Sequence, residues 1–218
     1  MSKKAIFYIS FFVVLIVGFY FAITKLMPGY GEKKLPVLSY VQPFSFLDQR
    51  GDSVTQRNVE GKVYVAEYFF TTCKGICPKM NTNMKKIYEA YKDEGSFLIL
   101  SHTVDPDTDS VGRLREYADS MQVKASKWLF LTGRKDSLYR AARLSYILDD
   151  PKNDNGKTED QFIHTQFFAL VDKAGRVRKI YDGLKKDEVD ELSKDINRVL
   201  NEKSTGTFSN SLFTNNPN

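Results

Sequence analysis

The 218-residue sequence predicts an α/β domain, a mixed β-sheet with helices on both faces, behind one N-terminal transmembrane helix. Three observations predict it. Apolar β-branched and aromatic runs of strand length alternate with segments of helical period; a hairpin and a helix close the pattern; and a long stretch near the N-terminus carries no charge. With 42% hydrophobic and 27% charged residues, the composition is that of one folded domain with a real core, and no segment repeats. The net charge of +5 arises from 32 basic and 27 acidic residues interspersed along the chain. It reads as a solvated surface, so nucleic acid is not expected as a partner.

The uncharged stretch is AIFYISFFVVLIVGFYFAI, residues 5–23, bounded by Lys3 and Lys4 before and Lys25 after. As a helix it would be about 28 Å long, close to the roughly 30 Å hydrocarbon core of a bilayer. Phe19, Tyr20 and Phe21 crowd the place where a cleaved signal peptide has small residues, and no cysteine follows to take a lipid. Residues 1–24 are therefore expected to be a retained membrane anchor. Lys3 and Lys4 are nearly balanced by Lys25, Lys33 and Lys34; the short N-terminal tail is placed inside and the C-terminal domain on the exported, periplasmic-type side.

Residues 25–43, with Pro28, Gly29, Gly31, Pro36 and Pro43, read as a linker, and the domain is placed at 44–202. It opens with FSFLDQRGDSVT, a hairpin in which Phe44 and Phe46 alternate with polar neighbours around the turn residues DQRGD. KVYVAEYFF, Lys62 to Phe70, reads as a buried strand. Beyond Pro78 the apolar positions Met80, Met84, Ile87, Tyr88 and Tyr91 recur at helical spacing up to Gly95. FLILSHTV is a second strand, Ser110 to Met121 a helix, WLFLT a third strand and Asp136 to Leu148 a helix. QFFALVD and RVRKIYD flank the turn KAGR as a closing hairpin, and Lys185 to Leu200 carries Leu192, Ile196, Val199 and Leu200 on one helical face. The polar, unpatterned residues 203–218 read as a disordered tail.

Cys73 and Cys77, the two cysteines of the chain, fall in the turn between the first long strand and its helix. A thiol at a helix start is favoured as thiolate by the unsatisfied N–H groups there, and Lys74 and Lys79 push the same way, so Cys77 is expected to have a lowered pKa. Gly75 is expected to let the turn fold tightly, within disulfide reach. A staple closing so small a loop would constrain the unfolded chain little, which leaves a redox couple or two arms of a metal site. Two thiolates suit Cu(I), and an added imidazole would accept Cu(II) as well; zinc is a weaker candidate because no finger spacing is present.

Of the two histidines, His164 stands just before the penultimate strand, where a strand-end loop can meet the cysteine turn. His102 lies in an apolar strand and reads as structural. DPDTDSVGRLRE places Asp105, Asp107, Asp109 and Glu116 at calcium-loop positions, but Ser110 stands where that loop needs glycine, so Asp109 or Ser110 is read as a helix N-cap.

Three segments in order, FFTTCKGICPKMN, VDPDTDS with LREYA, and FIHTQFFALVDKAGRV, resemble the Sco (SenC-type) copper-chaperone family over about residues 44–200. The resemblance implies a membrane-anchored, thioredoxin-like domain that delivers copper to the copper-binding subunit of cytochrome c oxidase during assembly. It implies metal-ligand roles for Cys73, Cys77 and His164, with Cu(I) and Cu(II) as cargo. Lys74 stands where family members often have proline, and Ile163 where an aspartate often precedes the histidine; the first changes the charge and stiffness of the turn, the second removes a carboxylate beside the imidazole. The rival expectation is a thiol-disulfide oxidoreductase that uses Cys73 and Cys77 to reduce the cysteines of the oxidase subunit. His164 separates the two, since only the copper site requires it.

Overall fold

The computed structural model describes residues 2–26, 34–153, 163 and 165–202. The chain divides between residues 35 and 36 into two compact units. The first contains helix α1, Lys3–Leu26, of which Lys3–Ile23 is long and apolar enough to cross a membrane by length and composition.

In the second unit, strand β1 (Ser39–Tyr40) precedes the small hairpin β2 (Ser45–Leu47) and β3 (Ser53–Thr55) and the single-turn helix α2 (Gln56–Val59). Strand β4 (Val63–Phe69), helix α3 (Cys77–Tyr91), strand β5 (Phe97–Thr103), helix α4 (Val111–Ser120) and strand β6 (Trp128–Leu131) form two successive crossover units. Helix α5 (Lys135–Arg140) follows, then the hairpin β7 (Phe167–Val171) and β8 (Arg176–Asp182), and helix α6 (Lys186–Asn201). The six-stranded sheet has the order β1-β8-β7-β4-β5-β6. β4, β5 and β6 run parallel, while β7 and β8 are antiparallel to their neighbours, so the sheet is mixed.

All seven residues of β4 are buried, as expected of a central strand covered on both faces. Alternation sends Tyr64, Ala66 and Tyr68 into a cluster with Leu138, Tyr139, Ala142 and Tyr146 on one face. Glu67 and Phe69 face the other way, toward α3 and α4: Phe69 stacks on Tyr117 at 5.4 Å, and Trp128 of β6 lies 5.9 Å from Tyr88 of α3. This is a thioredoxin-like arrangement. The crossovers put the carboxyl ends of β4 and β5 and the start of the antiparallel β7 at one end of the sheet, where the cysteine turn lies.

Two expectations need correction, and the structure sets one helix boundary. β1 falls in the stretch read as linker: Ser39 and Tyr40 pair with Val177 and Arg176, Leu38 N–H donates to Val177 O at 2.8 Å, and Val41 N–H to Gly175 O at 2.8 Å. The folded unit therefore reaches back to Pro36, and two residues are too few to show a period. The helix read over Asp136 to Leu148 is α5 followed by a π-helical turn, Ala141–Tyr146, that ends at Ile147 with a left-handed φ of 56°. Helix α3 begins at Cys77, with Ile76 as its cap residue and Pro78 second, where the missing N–H is harmless. The tail 203–218 lies outside the described residues.

Candidate metal and redox site

Strand β4 ends at Phe69, and the chain turns through residues 70–76 into α3. The turn is closed by Cys73 N–H donating to Phe70 O at 3.2 Å, and Lys79 N–H and Met80 N–H reach Ile76 O at 3.1 and 3.0 Å. Gly75 is not what allows it. Its φ is not left-handed, and a Cβ there would meet nothing within 4 Å, so the turn tolerates a side chain at this position.

Both cysteines are free thiols: Cys73 is half-buried and Cys77 is buried, at 4% exposure. No bond joins the two sulfurs, but the thiols are near enough for Cys73 to act on the ionisation of Cys77. The expected lowering of the Cys77 pKa does not occur. Burial and the neighbouring Cys73 push the Cys77 thiol up to about 12, against a backbone hydrogen bond from Phe70 that pulls it down. Lys74 and Lys79 are exposed, where water screens their charge.

Beneath the turn lies a residue that the sequence reading passed over. Glu67 is fully buried in β4; its Oε1 accepts from Ser101 Oγ at 2.6 Å, and Ser101 Oγ accepts from Trp128 Nε1 at 2.7 Å. Its Oε2 has no hydrogen-bond partner among the described residues. Burial pushes the Glu67 carboxyl up to about 7; burial also raises Cys77 and the Tyr117 hydroxyl, itself bonded by Asn81, and the charge of Glu67 adds to both. The visible signal was a lone carboxylate in the apolar run VYVAEYFF.

The hairpin β7–β8 reaches the same end of the sheet. Asn83 of α3 donates to Gly183 O at 2.8 Å, and Gly183 N–H donates to Gln166 O at 2.8 Å, which ties the segment before β7 to the helix that carries Cys77. Ile163 and Thr165 are buried, and the Ile163 backbone lies near the Tyr139 side chain. His164 itself lies outside the described residues. Among the described residues no group of three His, Cys, Asp or Glu could hold a metal ion, so the structure brings together Cys73 and Cys77 alone of the expected ligands. Their soft, adjacent thiols fit a monovalent soft cation. His102 is structural, as expected: fully buried, stacked on Tyr68 at 5.0 Å, and held neutral by burial, which lowers its pKa to about 4.

Residues 33–201 match the model of the SCO1/SenC family. A SCO1 protein homolog of Bacillus subtilis is 33% identical over 169 residues, covering 77% of this chain and 86% of that protein. The solved structure of BsSco, described as having a disulfide switch and as a member of the Sco family of cytochrome c oxidase assembly proteins, is similar at 30% identity with a TM-score of 0.65, over 78% of this chain and all of that one. Yeast Sco1 with copper bound is similar at 25% identity and a TM-score of 0.54, over 74% of this chain and 95% of that one.

Proposed function

The chain belongs to the SCO1/SenC family, and on that premise we propose that it is a copper-binding assembly factor that carries copper to the copper subunit of cytochrome c oxidase. The observation that carries this reading is the pair of neighbouring free thiols in the turn that leads into α3. Cys73, half-buried, is the sulfur an incoming donor or acceptor reaches first; Cys77 is the inner ligand. We assign the third position to His164, which would complete a site able to hold Cu(II) as well as Cu(I). Cys77 is protonated at neutral pH, so binding displaces its proton, and release to the recipient returns one. Helix α1 supports a membrane anchor that holds the domain on the exported side, near an oxidase subunit under assembly.

A second reading has its own support. Two neighbouring thiols can reduce a disulfide in the recipient, leaving Cys73 and Cys77 bridged, and BsSco is described as having a disulfide switch. Copper titration of the chain in detergent separates the two. The reduced form is expected to bind one copper per chain and the disulfide form none. His164→Ala should spare a two-thiolate Cu(I) site and weaken Cu(II) binding by at least about tenfold, because Cu(II) prefers a larger donor set that includes nitrogen. Unchanged Cu(II) binding in that variant would remove His164 from the site and favour the reductase.

A further inference from the structure

The segment DPDTDS, which mimics a calcium loop without its glycine, leaves one residue to be explained. The N-cap of α4 is Ser110, whose Oγ accepts from Arg113 N–H at 3.3 Å. Asp109 turns the other way and is fully buried. Its Oδ1 accepts from Thr71 Oγ1 at 2.5 Å and its Oδ2 from Thr103 Oγ1 at 2.5 Å. The Thr71 backbone N–H reaches both oxygens, at 3.4 and 3.2 Å. The Thr71 hydroxyl in turn accepts from Arg113 Nε at 3.2 Å, which fixes its own proton on Asp109.

Thr71 lies two residues before Cys73 and two beyond the end of β4, where the sheet ladder no longer holds the chain. Cys77 needs no such help, because α3 fixes it. We propose that Asp109 is a positioning residue for the cysteine turn: through Thr71 it pins the Cys73 side of the turn against α4, and so sets the effective concentration of one thiol at the other. Hydrogen bonds to a carboxylate are about twice as strong as neutral ones, and a carboxylate only accepts, so the three donors suit it and not an amide. Resting on the two-thiol reading above, this adds a residue that touches neither metal nor disulfide but governs both.

The test is thiol-disulfide equilibrium of the full chain in detergent against glutathione. Each exchange joins Cys73 and Cys77 by one S–S bond and splits one glutathione disulfide, so two electrons and two protons pass from the pair to that disulfide, which leaves as two molecules of reduced glutathione. Asp109→Asn and Thr71→Val are expected to shift the equilibrium about tenfold toward the dithiol, a potential about 30 mV more positive. Thr71→Ser, which keeps the hydroxyl, should match the native chain. Thr103→Val also removes a bond to Asp109 but does not touch the turn, so it should lower the unfolding midpoint as Thr71→Val does and leave the potential unchanged. Cu(I) affinity should fall about tenfold in Asp109→Asn.

Native potentials in both Asp109→Asn and Thr71→Val would overturn the assignment, as would a Thr103→Val shift as large as that of Thr71→Val. A native chain that forms no disulfide would overturn it too. If Asp109→Asn does not fold, the two threonine variants decide. A chain that binds no copper while its potentials move as stated would refute copper carriage and leave the role of Asp109 standing.

Discussion

At Cys77 a helix start and two nearby lysines pull the thiol toward ionisation, while burial, a neighbouring thiol and the Glu67 carboxylate push it back, and the second group wins. The lysines lose because their charges sit in water, where Coulomb energies at a given distance are several-fold smaller than in the interior. Cys73, half-buried, is accordingly expected to be alkylated at least about tenfold faster than Cys77 at pH 7, read by mass spectrometry of the singly labelled chain. Glu67→Gln should speed Cys77 above pH 7, where the native carboxyl is ionised, and leave it unchanged well below; equal rates at all pH values would detach Glu67 from the site. The sequence shows both cysteines because they are the two in the chain. It shows Glu67 as an oddity but hides its meaning, since Ser101 and Trp128 are 34 and 61 positions away and meet it through strand pairing.

The elements that carry the site were legible where they are long. β4, α3, β5 and the closing hairpin each give a clear period, and their order alone places the cysteine turn at the carboxyl end of a central strand. What escaped is short or irregular: β1 is held by backbone bonds to β8 that leave no mark on side-chain pattern, and the π-helical turn keeps a helical look. The join between α3 and the β7–β8 hairpin was also hidden, although it orders the segment leading to β7. It depends on Gly183, where a Cβ would lie 2.5 Å from Phe168 Cζ and 2.9 Å from Gln166 O. Gly183→Ala should therefore destabilise the chain by ~1–3 kcal/mol, through overpacking against a fully buried ring and fixed backbone. Denaturant unfolding checks this, and a native midpoint would mean that Phe168 has room to swing aside.

Across the whole molecule, two buried groups on opposite faces of the sheet give stability opposite dependences on pH. Glu67 titrates near 7 in the folded chain against 4.5 as a model group, so its contribution is fully present below 4.5 and lost as pH rises through 7. His102 titrates near 4 against 6.5, so its contribution is fully present above 6.5 and lost as pH falls through 4. At 1.36 kcal/mol per unit each effect is about 3 kcal/mol, and between pH 4.5 and 6.5 the slopes have opposite sign and similar size. For these two groups the native chain should be nearly flat across that window. Each substitution should expose the other: Glu67→Gln should gain about 3 kcal/mol between pH 4.5 and 6.5 from His102 alone, and His102→Leu should lose about as much from Glu67 alone. Because the slope rather than the absolute stability is read, the cost of either substitution at a fixed pH does not enter. Urea unfolding at several pH values measures it, and a Glu67→Gln chain with the native slope would show that this carboxyl does not titrate in the folded protein as its burial requires.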